Sequence, residues 1–500
     1  MAGTDSRLAR AGGAGTGGGS GPVGKLAAQV ARRIEAEVIG RGWPVGEVLD
    51  SEPVLRERYG VSRTVLREAA RLLEHHQVAR MRRGRGGGLV ICAPDAGPAV
   101  RAVVVYVEYT GAEPGDVLHA RRLIEPLVGR LATARIDEAG ITTLRDTVAA
   151  ELSSREHGDW ADGLFHSVLS EMTGNPVLQL FSNVLEQLTY RYAGVFGHIP
   201  MDRLRPFTLL SNRRHAEVVD AVVTGDASRA EVGLIQHLDE VVEWLRMAAD
   251  REPSGPAPRP APPPVSLGTG STLAETVAAR IYEDIVRGGL RPGAVLGSEA
   301  GLMERYGTSR AVLRAAVRLL EHHSVAMSRR GPGGGLVVTP QEPQAAIDAT
   351  ALYLAFRGVT PEDLDIVREA LEAGTVARVT ARREEPEVAR GLDALARATA
   401  EAPAAGTGAP GNADAPAQEP VVPDRGFHAV LAELAGNPVV ALFLRILTDL
   451  SRRIHTARGG SGTGGGCLDG HDPAHRDILD AIRDGDAGLA QHRMRRHLSR

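Results

Sequence analysis

One stretch, written twice, constrains this chain more than anything else in it. Ser62–Val90 and Ser309–Val337 share the pattern S-R-x-V-L-R-x-A-x-R-L-L-E-H-H-x-V-A-x-x-R-R-G-x-G-G-G-L-V at a constant offset of 247 residues. Across 61–91 and 308–338, 22 of 31 positions are identical. Agreement of that length marks a tandem duplication, so whatever the stretch does is done in two copies.

The first copy reads as three helices and a hairpin. Leu26, Val30, Ile34 and Val38 recur at helical spacing and predict an amphipathic helix ending near Gly40-Arg41-Gly42. Asp50-Ser51-Glu52 offers an N-cap for a second helix carrying Val54, Leu55 and Tyr59, closed by Gly60. Ser62 caps a third, whose Val65, Leu66, Ala69, Leu72 and Leu73 share one face while Arg63, Thr64, Arg67 and Arg71 lie off it. After it, Val78–Met81, a glycine-rich turn and Leu89–Ile91 read as strand, turn, strand. That order is a winged helix-turn-helix, whose third helix such folds lay in the DNA major groove.

Charge agrees with that placement. The chain as a whole has a formal charge of -4, yet Arg56 to Arg85 holds nine Arg against three Glu. Arginine carries the charge almost alone, Lys25 being the single lysine, and its planar fork suits phosphates and guanine edges. The candidate DNA-contacting residues are Arg63, Thr64, Arg67, Arg83, Gly84 and Arg85, then Arg310, Arg314, Arg330 and Gly331 in the second copy, where Pro332 replaces Arg85. An Arg-rich helix is often only a solvated face; here helix order, wing and repetition argue together against that. The pairs His75-His76 and His322-His323 need no ligand, since imidazoles suit a helix C-terminus.

The remainder is expected to be helical and soluble. Residues 1–24 are Gly-rich and predict a disordered start; 25–94 form the first winged helix, 98–248 a helical bundle, 249–270 a Pro/Ala-rich linker, 271–340 the second winged helix and 344–500 a second bundle. Bundle helices are expected at 101–109, 114–134, 138–153, 161–173, 176–192, 207–224 and 227–247. Two Gly/Ala/Pro-rich stretches, 401–423 and 458–470, look like loop expansions of the second bundle. No run of 18 apolar residues appears, and the two cysteines sit at unmatched repeat positions, so a reducing cytoplasm without membrane attachment is expected.

Within the bundles one residue set stands out. Asp162 and His166 are spaced i, i+4, and His215 precedes His237 by 22 residues. Asp424, His428, His475 and His497 repeat both spacings although the offset has slipped to 262 and then 260. A lone helical histidine is usually a hydrogen-bonded core residue, and copies of one ancestor are not independent. Yet His119, His157, His198 and His455 have no counterpart in the other half. Selective retention points to a divalent transition-metal site with room for a further ligand, zinc first, with nickel or manganese as alternatives.

These motifs together resemble the GntR transcription regulators, FadR subfamily. Ser51-Glu52, Leu55, Tyr59 to Arg63, Val65 to Ala69, Arg71 to Glu74 and the G-x-G-G-G wing carry the likeness, and the second copy repeats it from Ser298-Glu299 onward. The resemblance implies that Arg63 and Arg67, and Arg310 and Arg314, read the operator. The family's arginine after the second-helix glutamate is missing, replaced by Pro53 and Ala300. Arg121 with Glu125, Asp162 to His166 before Gly174-Asn175-Pro176, and His215 to His237 resemble the family's FCD ligand-binding domain, as do their second-copy partners from Arg368 with Glu372. That likeness implies a mainly α chain of two winged helices, each followed by an all-α FCD-type bundle. It also implies a metal on the Asp/His/His/His set that holds the carboxylate of a small organic acid. Arg121 and Arg368 are candidate carboxylate partners; i, i+4 pairing with glutamate explains them equally well. The family usually has one winged helix per chain, so this chain is expected to act as a covalent pseudo-dimer or to dimerise.

Two functions compete on these residues. One is an effector-responsive regulator of double-stranded DNA, expected to repress. The other is a metal-dependent enzyme on the same ligands, disfavoured because no general base, nucleophile motif or nucleotide loop accompanies them.

Overall fold

The computed structural model describes residues 22–84, 86–154, 165–193, 201–249, 273–322, 325–329, 331, 334–340, 342–401, 426–457 and 473–499. The chain divides into two compact units, 1–95 and 96–500.

The first unit is a winged helix. Its elements are α1 (Pro22–Gly40), α2 (Glu52–Tyr59), α3 (Arg63–His75), β1 (Ala79–Arg82) and β2 (Gly88–Ile91). α1 packs on α3, burying Ala27, Val30, Ile34 and Val38 with Leu66 and Leu73. Two residues expected on apolar faces are exposed instead: Leu26, because Ala27 takes the inward position, and Val54, because Leu55 alone anchors the short α2. Ser62 caps α3 as expected, accepting from the Val65 amide at 3.3 Å. Ser51 makes no side-chain cap to α2, which carries a proline in its first turn, and the neighbouring Asp50 carboxylate binds Arg58. β1 and β2 pair antiparallel from Ala79↔Ile91 to Arg82↔Gly88. Glu74 secures the wing by accepting from the Met81 amide at 2.9 Å.

The second unit opens with a bundle of α4 (Gly97–Tyr109), α5 (Pro114–Arg135), α6 (Glu138–Ser154), α7 (Phe165–Glu171), α8 (Pro176–Ala193), α9 (Met201–Val223) and α10 (Ala227–Ala249). α9 begins six residues before the expected Phe207 and carries Pro206 within it, at the cost of one i→i−4 backbone hydrogen bond. The second winged helix follows as α11 (Leu273–Arg287), β3 (Val295–Gly297), α12 (Glu299–Tyr306), α13 (Arg310–His322), β4 (Ala326–Arg329) and β5 (Gly335–Val338). Its sheet has the order β3-β5-β4. β3 has no clear signal in the sequence, being three residues long; its counterpart in the first copy is the single bridge Val48↔Val90. Glu321 repeats the wing contact, accepting from the Ser328 amide at 2.9 Å. The second bundle is α14 (Gln344–Phe356), α15 (Pro361–Ala381), α16 (Pro386–Glu401), α17 (Phe427–Leu434), α18 (Pro438–Ala457), α19 (Pro473–Arg483) and α20 (Ala487–Leu498). The expected linker and the two expected loop expansions fall almost wholly outside the described residues.

The two bundles share a core along their junction, while α16, α17, α19 and α20 gather a second one with Leu392, Phe427, Ile478 and Met494. α4 packs on α14, and α5 touches both α15 and α18. At their junction Phe181 and Phe443 stack with ring centroids 3.8 Å apart. Each Gly-Asn-Pro turn serves both bundles. The Asn175 side chain caps α8, Oδ1 accepting from the Val177 amide at 2.9 Å, while Nδ2 donates to the Asp363 carbonyl at 3.0 Å. Asn437 does the same for α18 and for the Asp116 carbonyl, both at 3.0 Å. Since Asn175 corresponds to Asn437 and Asp363 to Asp116, the contact is reciprocal, as in a two-fold dimer interface.

Candidate metal centres and nucleic-acid interface

Helix packing brings His166 of α7, His215 of α9 and His237 of α10 together, and His428 of α17, His475 of α19 and His497 of α20 likewise. Each trio has one ligand-capable nitrogen per residue within 4.8 Å of the others. In the second trio, His475 Nε2 lies 3.1 Å from His497 Nε2, which lies 3.3 Å from His428 Nε2. Zinc–nitrogen bonds of ~2.0–2.1 Å put neighbouring donors about 3.0–3.4 Å apart, so three converging nitrogens at these spacings fit one ion. In the first trio, His215 Nε2 and His237 Nδ1 are buried with no hydrogen-bond partner among the described residues, a cost that an ion would offset. Asp162 and Asp424 lie outside the described residues.

A metal ligand must be a neutral imidazole. Burial, followed by Arg121 and the neighbouring imidazoles, holds His166 well below its ordinary value. Burial, then His215 and Arg121, does the same for His237. Carboxylates orient the rings. Glu151 Oε2 sits 2.9 Å from His215 Nδ1, leaving Nε2 for the centre, and Glu372 Oε1 sits 2.9 Å from His428 Nδ1 with the same result. Phe165 stacks on His215 at 4.1 Å and Phe427 on His475 at 4.0 Å. Glu151 and these phenylalanines escaped the sequence reading, although a Phe-His dipeptide in both copies was a visible signal.

Arg121 and Arg368 are both engaged by the glutamate four residues on. Arg121 is buried, bonded to Glu125, and donates to Thr189 Oγ1 at 3.3 Å. Arg368 holds Glu372 more loosely, at 3.4 Å. Glu125 also reaches His166, 3.4 Å from Nδ1, so the pair borders the histidine cluster. Beside it, burial raises Glu186 to about 7 against the pull of the hydroxyl donated by Ser167.

On the candidate nucleic-acid surface, Arg63, Thr64 and Arg67 project from the exposed start of α3. Glu52 orders them, 2.8 Å from Arg63 and 3.5 Å from Arg67; Glu299 does so for Arg314 and Arg310, at 2.8 and 3.7 Å. Exposed ion pairs are worth about 0–1 kcal/mol, so such pairs align the guanidiniums without sequestering them from phosphate. Gly84 and Gly331 turn the wings with φ of 102° and 105°, where a side chain would be strained. Arg83 is exposed beside the first; Arg85 and Arg330 lie outside the described residues.

Among the described residues no helix is long and apolar enough to cross a membrane. Residues 116–240 and 363–500 match the FCD domain, and residues 26–88 and 273–336 match the bacterial regulatory proteins of the gntR family. The chain is 25% identical over 238 residues to the Uxu operon regulator of Haemophilus influenzae, covering 46% of this chain and 85% of the relative. It is 27% identical over 206 residues to the HTH-type transcriptional regulator LutR of Bacillus subtilis, covering 40% and 92%. The HTH-type transcriptional repressor NanR of Salmonella schwarzengrund is 26% identical over 225 residues, covering 43% and 83%. A solved GntR structure from Streptococcus agalactiae aligns with 23% identity and a TM-score of 0.33 over 43% of this chain and 99% of its own. With both domains present in the same order twice over, the chain belongs to the GntR family of DNA-binding transcription regulators, of the FadR type with an FCD effector domain, and is a regulator, not an enzyme.

Proposed function

We propose that this regulator is a repressor whose operator binding is controlled by a small organic acid held at a metal in the helical bundle. The observation that carries the reading is the convergence of three imidazoles beside an Arg–Glu pair, twice, in a chain with two recognition helices. His166, His215 and His237, with Asp162, would hold one ion; His428, His475 and His497, with Asp424, the other. A divalent ion, zinc by its nitrogen-rich donors with nickel or manganese as alternatives, would supply charge that attracts a carboxylate. Arg121 and Arg368 would take that carboxylate in exchange for Glu125 and Glu372. Arg63, Arg67, Arg310 and Arg314 would read guanine edges, and the Arg83-Gly84-Arg85 and Arg330-Gly331 tips the adjacent minor groove. The repressor assignment is supported by the likeness to NanR.

The reciprocal Asn175 and Asn437 contacts favour a covalent pseudo-dimer, with one chain supplying both half-site readers. The domain division 25–94, 98–248, 271–340 and 344–500 then describes two subunits in one polypeptide. Binding to the chain's own promoter DNA at fixed salt, with sedimentation to count chains, tests this. Arg63→Ala and Arg310→Ala should each weaken specific binding by ~1–3 kcal/mol, with one chain per operator. Unchanged binding in either variant would displace the recognition helix, and two chains per operator would replace the pseudo-dimer with a homodimer.

A further inference from the structure

A buried polar latch ties the second winged helix to the first bundle. Tyr282 of α11, 1% exposed, donates to Glu108 Oε2 of α4 at 2.8 Å and approaches the Val105 carbonyl at 3.3 Å. Arg191 of α8 grips the same carboxylate through two nitrogens, one of them 2.9 Å from Oε2. The Glu108 side chain is 7% exposed and both its oxygens accept hydrogen bonds, so removing one partner leaves a shielded acceptor unpaired. Near by, Tyr109 of α4 donates to the Thr339 carbonyl, just past β5, at 3.1 Å.

The latch is written once. At the repeat offset of 247, Tyr282 corresponds to Glu35 and Glu108 to Ala355, so neither half of a mirror-image latch exists in the sequence. Glu35 instead meets His76, with Nδ1 at 2.7 Å, and Arg453, the counterpart of Arg191, binds Asp348 and Asp449. The residues that make the latch therefore belong to one copy of the repeat alone.

The latch also joins the first histidine cluster. His166 lies against Glu125, Glu125 bonds Arg121, and Arg121 donates to Thr189, two residues before Arg191 on the same helix. We propose that the chain is cross-wired: occupancy of the first bundle's metal and effector site is read by the second winged helix, through α8 and the Tyr282–Glu108–Arg191 latch. This rests on the metal-site reading above. His166 held at an ion fixes Glu125 and Arg121, hence α8, and the latch passes that order to α11, which packs against the recognition helix α13.

Hydrogen–deuterium exchange of α11 in the full chain, with and without zinc, tests it, and elemental analysis of the same samples counts bound zinc. Zinc should slow α11 exchange about three- to tenfold, the scale of one hydrogen bond made secure. His497→Ala, which removes the second site, should keep that response; His237→Ala, which removes the first, should lose it. Tyr282→Phe preserves the ring and should bind both zinc ions yet lose the response; Glu108→Gln guards against a folding artefact. If both latch variants keep the full response, or if His497→Ala abolishes it, cross-wiring is overturned while the metal sites stand. A wild-type chain that binds no zinc overturns the metal reading, and cross-wiring with it.

Discussion

The two histidine clusters keep nearly the same geometry inside bundles that have otherwise drifted apart. Ring centroids in the first are 5.1, 5.2 and 4.8 Å apart, and in the second 5.5, 5.3 and 4.7 Å. Around them the polar groups differ. Ser167 and Glu186 of the first have Ala429 and Thr448 as counterparts at the offset of 262, and the Arg–Glu pair is tight in the first and loose in the second. Helix packing and a stacked phenylalanine hold the imidazoles, so their positions survive changes in the lining. The comparison therefore teaches that histidine geometry and polar lining are separable here: the first is kept in both bundles and the second is not.

The comparison breaks most severely at the seam between the bundles. Phe181→Ala and Phe443→Ala should each cost about 3–5 kcal/mol in urea unfolding, because each empties half of one buried stack. The double variant should cost less than the sum, by ~0.5–3 kcal/mol. Strict additivity would mean that the two bundles do not share this core.

Metal removal sharpens it next. Wild type should bind two zinc ions by elemental analysis, His237→Ala and His497→Ala one each, and the double variant none. At zinc 100-fold above its dissociation constant, each site should add ~2.7 kcal/mol, which chelation removes. Two ions retained in either single variant would dissolve the equivalence.

The smallest expected effect is a pH slope belonging to one copy. Burial first, and then Arg378, hold His119 down to about 4 from an ordinary 6.5. Between these values the unfolded chain takes up a proton that the folded chain refuses, so stability falls as pH drops from 6.5 towards 4. The second copy has Ile366 at this place. His119→Ile should therefore flatten the slope of the metal-free chain by ~1–2 kcal/mol, discounted for partial solvent access, in urea midpoints at pH 7 and pH 5. An unchanged slope would assign the acid sensitivity elsewhere.

Much of this was readable in the residues. The duplication, the three helices and hairpin, the Ser62 cap and the six clustered histidines follow from local signals: periods of 3.6 and 2, turn glycines and a recurring i, i+4 spacing. Identical residues at a fixed offset survive any folding detail, so the two-copy architecture was legible before a single contact was known. The start of α9, the strand β3 and the role of Glu151 were not, because proline, a three-residue strand and a lone helical glutamate are each ambiguous in isolation.

Pattern by itself determined the duplication and the order of helices and wing within each copy. The tertiary structure decided who meets whom: Phe181 on Phe443, Asn175 on the opposite bundle, Glu151 on His215, and Tyr282 on Glu108. Those partners stand 64 to 262 residues apart, and no helical or strand period reaches that far. Their contacts arise only when packed helices exclude water and each buried polar group must find a partner within hydrogen-bond reach.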